Sequence, residues 1–166
     1  MDRTIIIIHI GSEYMEILKA KITDLDIIKY ICDTTINKIY PKYYPKGAVD
    51  FFINHHSLEH IKEDINQGIV YIIKDYEKII GTVTIKDNNM NRLFVLPEFH
   101  KKGYGKALIS FTEEMIFKKY DSIIIDASLP SKTLYLKIGF KEIEYDKILT
   151  DNGDYLCYGV MKKEKL

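Results

Sequence analysis

Arg92–Phe111 reads RLFVLPEFHKKGYGKALISF, and these residues decide how the rest of the chain is arranged. Leu93, Phe94, Val95 and Leu96 form an unbroken apolar run, the pattern of a strand covered on both faces. Pro97 has no N–H and cannot extend that strand's ladder. Gly103 and Gly105 then let the backbone turn tightly and approach a partner closely. Leu108, Phe111, Met115 and Ile116 follow at helical spacing, predicting a helix to about Tyr120. A strand that feeds a glycine loop and then a helix presents free backbone N–H groups, a common phosphate cradle. Lys101, Lys102 and Lys106 surround the loop with positive charge.

Two familiar nucleotide loops fail on one residue. A P-loop or a dinucleotide fingerprint each requires glycine where this chain has Leu108. What remains is a Gln/Arg-x-x-Gly-x-Gly/Ala pattern, met here as His100-Lys101-Lys102-Gly103-Tyr104-Gly105.

Outward from this stretch the chain reads as one domain. Its 166 residues suffice for a single core, and 46% hydrophobic with 29% charged residues describes a folded protein. The net charge is zero, which argues against a general nucleic-acid binder. No apolar run reaches membrane-spanning length. Ile5–Ile8 is too short for a signal peptide, and His9 interrupts it. Cys32 and Cys157 make neither a disulfide framework nor a metal site, so the expectation is a cytoplasmic protein without a metal.

The N-terminal TIIIIHI reads as a loosely attached strand, at a sheet edge or paired with another chain, broken by Gly11, Ser12 and Glu13. Ile17–Ile22 is the expected first core strand. A helix follows over Asp24–Tyr40, then a weaker one over Ala48–Gln67, broken around Asn54–Ser57 and stopped by Gly68. Strands are predicted over Ile69–Lys74, Ile79–Lys86 and Met90–Leu96, and after the helix over Ser122–Ala127. A short helix over Ser131–Ile138 ends at Gly139. Phe140–Tyr145 and Tyr155–Lys162 close the sheet, joined by a turn at Asp151–Asp154. This order describes a mixed sheet covered by helices, an α/β (α+β) fold.

The loop, with LFVLPE before it, resembles motif A of the GNAT acetyl-CoA-dependent N-acyltransferases. Thr133–Phe140, TLYLKIGF, is similar to that family's second signature, and the two occur in family order. The resemblance covers roughly Ile69–Tyr145. It implies the GNAT fold, a mostly antiparallel mixed sheet of about seven strands, and acetyl-CoA as co-substrate. The loop amides from His100 to Lys106 would wrap the pyrophosphate, and Leu93, Phe94 and Val95 would pair with the pantetheine arm, with Ser128 beside it. An N–H of Phe94 or Val95 would stabilise the oxyanion, and Tyr135 would protonate the leaving thiolate. Taken alone, Tyr135 is one of 13 tyrosines; its place in the joint spacing singles it out.

Two departures stand out. His100 replaces the family's Gln or Arg, and Asn91 and Arg92 stand where relatives often carry a glutamate base. Asp87, Glu98, His55, His56 and His60 are other candidates, and none is assigned. Tyr40, Tyr43, Tyr44 and Phe51 either line an acceptor pocket or pack the core, and packing is the commoner outcome. The expected activity is acetyl transfer to a primary amine of a small molecule or peptide, with a non-catalytic acyl-CoA sensor as the alternative. Monomer and homodimer both remain open.

Overall fold

A computed structural model describes residues 5–10 and 13–166. Eight strands form one sheet: β1 (Ile5–Ile10), β2 (Glu13–Lys19), β3 (Val70–Asp75), β4 (Lys78–Lys86), β5 (Asn89–Val95), β6 (Ser122–Ser128), β7 (Lys141–Leu149) and β8 (Tyr155–Glu164). Their spatial order is β1-β2-β3-β4-β5-β6-β8-β7. Every neighbouring pair is antiparallel except β5 and β6. Seven strands make the expected mixed sheet, and β1 adds an edge strand by pairing with β2. Gly11 and Ser12, expected to break that segment, lie outside the described residues.

Helices cover both faces, and strand alternation explains how. Val70 and Ile72 point to one face and Tyr71 and Ile73 to the other, all buried. On the first face they meet α1 (Leu25–Ile39), α2 (Lys46–His55) and α3 (Leu58–Asn66), with Ile28, Ile31, Ile36 and Ile61 at the centre. On the second they meet α4 (Tyr104–Phe117) and α5 (Leu129–Lys137), through Leu108, Phe111, Ile116, Tyr135 and Phe140. Double coverage is why these strands read as continuous apolar runs. Among the described residues, no helix is long and apolar enough to cross a membrane.

Element boundaries are sharpened or moved in several places, β7 for instance running on to Leu149, past the expected Tyr145. The first core strand runs over Glu13–Lys19, not Ile17–Ile22, because β3 pairs with it only from Met15 to Lys19. Beyond that, the Asp24 carboxylate accepts from Lys21 N–H at 2.8 Å and turns the chain into a 3-10 segment. The α2–α3 break falls at His56–Ser57, where Ser57 Oγ caps α3 by accepting from His60 N–H at 3.2 Å. The α5 helix starts at Leu129, two residues early, because Pro130 suits a first helical turn.

Candidate active site

β5 and β6 touch at one register point, Asn89 opposite Ile124, and then diverge. Past that point β5 has no strand neighbour on its β6 side. On its other side β5 carries a bulge: Arg92 and Leu93 together stand opposite Val83 of β4. Arg92 takes a positive φ of 47° to make it.

The direction of the β5 backbone follows from its bonds. Leu96 N–H donates to Ile80 O at 2.9 Å, and Phe94 stands opposite Thr82. By the strand's period of two, Phe94's main-chain groups face β4 and those of Val95 face the gap. The Val95 carbonyl accepts there from His100 Nε2 at 2.7 Å and from Thr35 Oγ1 at 3.3 Å. A ring nitrogen facing a carbonyl must donate, so His100 carries its proton on Nε2. Its imidazole therefore braces the strand and is not turned into the glycine loop. Of the two amides weighed from sequence, Val95's opens to the gap.

The glycine loop sits at the same end of β5. Gly103 has φ 94°, ψ −10° and precedes α4, whose first main-chain bond runs from Ala107 N–H to Gly103 O at 2.9 Å. The Gly105 and Lys106 N–H groups lie ahead of that bond and have no partner within the helix. A Cβ on Gly105 would meet nothing within 4 Å, so open space lies above these amides. Lys101, Lys102 and Lys106 are exposed around it, whereas Tyr104 is buried in the core. Free amides at a helix start, room above them and nearby lysines all fit a pyrophosphate.

A cavity of about 230 Å³ lies at the gap, lined among others by Leu93, Phe94, Ser128 and Tyr135, though not by Val95. Tyr135 is 6% exposed, its ring packs edge-on against Phe140 at 5.4 Å, and burial pushes its phenol well above the usual tyrosine range. Its hydroxyl has no hydrogen-bond partner among the described residues. Ser128, the last residue of β6 and the one just before α5, accepts from Tyr40 Oη at 3.1 Å. Tyr40 lines the cavity, and burial raises its phenol to about 12.

The other aromatics divide by position. Tyr44 Oη accepts from Leu129 N–H at 2.8 Å and donates to Cys157 O at 2.9 Å, so it ties α5 to β8. Tyr43 is 51% exposed and lies off the cavity. Phe51 is at the cavity wall, stacked on His55 at 5.9 Å. Of the base candidates, His55 and His56 line the cavity; Asp87, Glu98 and His60 do not.

Sequence reasoning missed the polar cluster beside it. The Arg92 side chain is buried, its Nη1 donating to Asp64 Oδ2 at 2.7 Å and Thr84 Oγ1 at 3.0 Å, its Nε to His56 Nδ1 at 3.2 Å. These partners lie 28, 8 and 36 residues away, beyond any local pattern. The one available signal was an arginine entering an apolar strand. Burial, then the Arg92 charge, holds the His56 imidazole well below its usual range, and both effects lower His55. Asp126 on β6 also lines the cavity, its carboxyl raised by burial and by Asp146. Among the described residues, no group of three His, Cys, Asp or Glu could hold a metal ion.

The His56 shift has a consequence for stability. Its folded pKa lies below the unfolded value near ~6.5, so below that pH the unfolded chain binds the extra proton. Stability held at neutral pH is then lost on acidification, and the Arg92 bond to Nδ1 with it. The melting temperature should fall between about pH 7 and pH 5, and less steeply in His56→Gln. Identical slopes in the two proteins would refute the assignment.

The sequence profile of the acetyltransferase (GNAT) domain matches residues 39–163. No curated protein matches the chain. A GCN5-related N-acetyltransferase from Rhodopseudomonas palustris superposes with a TM-score of 0.83, at 14% identity over 95% of this chain and 99% of that one. The PaiA N-acetyltransferase of Thermoplasma acidophilum, solved with coenzyme A, gives 0.71 at 22% identity over 91% and 99%. The ribosomal-protein-S18-alanine N-acetyltransferase of Escherichia coli gives 0.67 at 16% identity over 90% and 93%. At these identities the likeness is one of fold.

Proposed function

The chain belongs to the GNAT acetyltransferase family, and we propose that it moves an acetyl group from acetyl-CoA directly to a primary amine. The observation that carries this reading is Tyr135: a buried hydroxyl without a partner at the wall of the β5–β6 gap. Leaving such a group unsatisfied costs about 1–3 kcal/mol, which a function offsets.

The coenzyme supplies an acetyl thioester; the chain supplies the rest. The amides between Gly103 and Ala107 hold the pyrophosphate, with Lys101, Lys102 and Lys106 nearby. Main-chain groups of Leu93 on the open edge of β5 hold the pantetheine arm as an added strand. His100 contributes by occupying the Val95 carbonyl, which leaves the Val95 N–H on the open side. That N–H donates to the acetyl oxygen as negative charge develops there. Tyr135 protonates the departing sulfur as the amine nitrogen bonds to the acetyl carbon. Burial keeps the phenol protonated, and the same dry wall raises the basicity of the thiolate it meets. Free Cys32 and Cys157 are consistent with a cytoplasmic setting.

A non-catalytic acyl-CoA sensor is the second reading, favoured by Arg92 standing where relatives often place a carboxylate base. Thermal unfolding followed by an amine screen separates the two. Acetyl-CoA at a hundred times its dissociation constant should stabilise the fold by about 2.7 kcal/mol, roughly 5–10 °C for a chain this size. Release of free thiol on adding amines establishes transfer. A shift without thiol release leaves the sensor, and no shift at millimolar coenzyme ends both readings.

A further inference from the structure

The Arg92 guanidinium has five N–H donors. Three are used, on His56, Asp64 and Thr84. The two on Nη2 meet no acceptor among the described residues. His56 is in the same position. Its Nδ1 accepts from Arg92, so the ring proton sits on Nε2, which also has no partner among the described residues. Neither donor is exposed: the Arg92 side chain is 6% accessible and His56 7%. Buried donors without acceptors are rare in folded proteins, and charged ones are the most costly.

Both residues line the inner cavity next to Leu93 and Tyr135, and both line a second, outer cavity of about 420 Å³. The two cavities share His55, His56, Asn91, Arg92 and Asp126 in their walls. These walls carry unequal chemistry. The α2–β5 wall offers unsatisfied N–H donors, the β6 wall offers the Asp126 carboxylate, and Glu63, Asp64 and Lys86 also line the outer cavity. A diamine or polyamine would suit the Asp126 wall and leave the donors empty. A molecule with a carboxylate close to its amine satisfies both.

We propose that Arg92 Nη2 and His56 Nε2 bind the carboxylate of the acceptor, and that the acceptor is a small amino acid. Asp126 receives its ammonium group as it enters. Asp64 serves this subsite by fixing the guanidinium plane from Nη1, which leaves the Nη2 edge toward the cavity. The subsite rests on the acetyl-transfer reading above and adds to it a substrate class.

The test uses matched acceptors with the intact protein and acetyl-CoA, following thiol release. Short α-, β- and γ-amino acids are each compared with the amine lacking the carboxylate and with the carboxamide. Charge-assisted hydrogen bonds to the carboxylate should give at least ~10-fold higher kcat/KM for the acid in one or more sets. Acids no better than their amines and amides in every set would overturn the proposal while leaving acetyl transfer intact. If no amine of any kind releases thiol, the acetyl-transfer reading falls and the subsite with it. The double variant Arg92→Met with Asp64→Leu removes the ion pair as a unit, so no lone buried charge remains. Its acid-to-amine ratio should fall toward one, whatever the absolute rates; an unchanged ratio overturns the assignment to Arg92. Should that variant not fold, the acceptor sets with the unmodified protein decide the matter alone.

Discussion

Tyr135→Phe is expected to slow kcat by about 10²–10⁴-fold, the range for losing a general acid, while acetyl-CoA affinity stays within a factor of two or so. The two quantities separate because the hydroxyl does no structural work. Among the described residues it bonds to nothing, and the ring keeps its edge contact with Phe140. Removing an unsatisfied buried hydroxyl should leave the melting temperature unchanged or slightly raised. Single-turnover acetyl transfer together with coenzyme titration reads both terms. A loss shared equally between them would mean that Tyr135 positions the coenzyme and does not act on the sulfur. No loss in turnover would exclude the acid role.

The parts of this protein that were legible in its sequence are those whose cause is local. The β5–loop–α4 stretch announces itself because a buried strand, a proline stop and two glycines follow one another within a few residues. The break expected around Asn54–Ser57 falls at His56–Ser57, where Ser57 caps α3. Tyr135 was found through a second local signature at a family spacing. Other features are long-range and left little trace. The bulge at Arg92 lies in the pairing with β4, and the divergence of β5 from β6 involves strands separated by the whole of α4.

The same division explains the base problem. Read locally, Arg92 was only a missing glutamate. In the fold it is the centre of a buried network built from α2, α3 and β4. That network also bears on the proton the amine must lose. Burial and then the Arg92 charge lower both His55 and His56 from the usual imidazole range, and an ammonium entering the same space is pushed the same way. A site that favours the neutral amine needs a weaker base than one that does not.

Gly103→Val should abolish coenzyme binding while leaving the apo fold in place. At φ 94° a β-branched residue is strained by about 1–3 kcal/mol. The loop can relieve that strain only by rotating the amides that follow it. The helix behind them is anchored elsewhere, through Ala107, Leu108, Phe111 and Ile116 in the core, so the apo melting temperature should drop by no more than several degrees. The coenzyme-dependent shift should vanish. Gly105→Ala tests the same cradle without strain. Its Cβ meets nothing in the apo protein, and alanine favours a helix over glycine by up to ~1 kcal/mol, so the apo fold should hold or gain. Any coenzyme affinity it loses therefore measures a ligand occupying that space. A full shift retained in Gly103→Val would place the phosphates elsewhere. Loss in Gly103→Val with full binding in Gly105→Ala would put them on the amides but away from the α4 start.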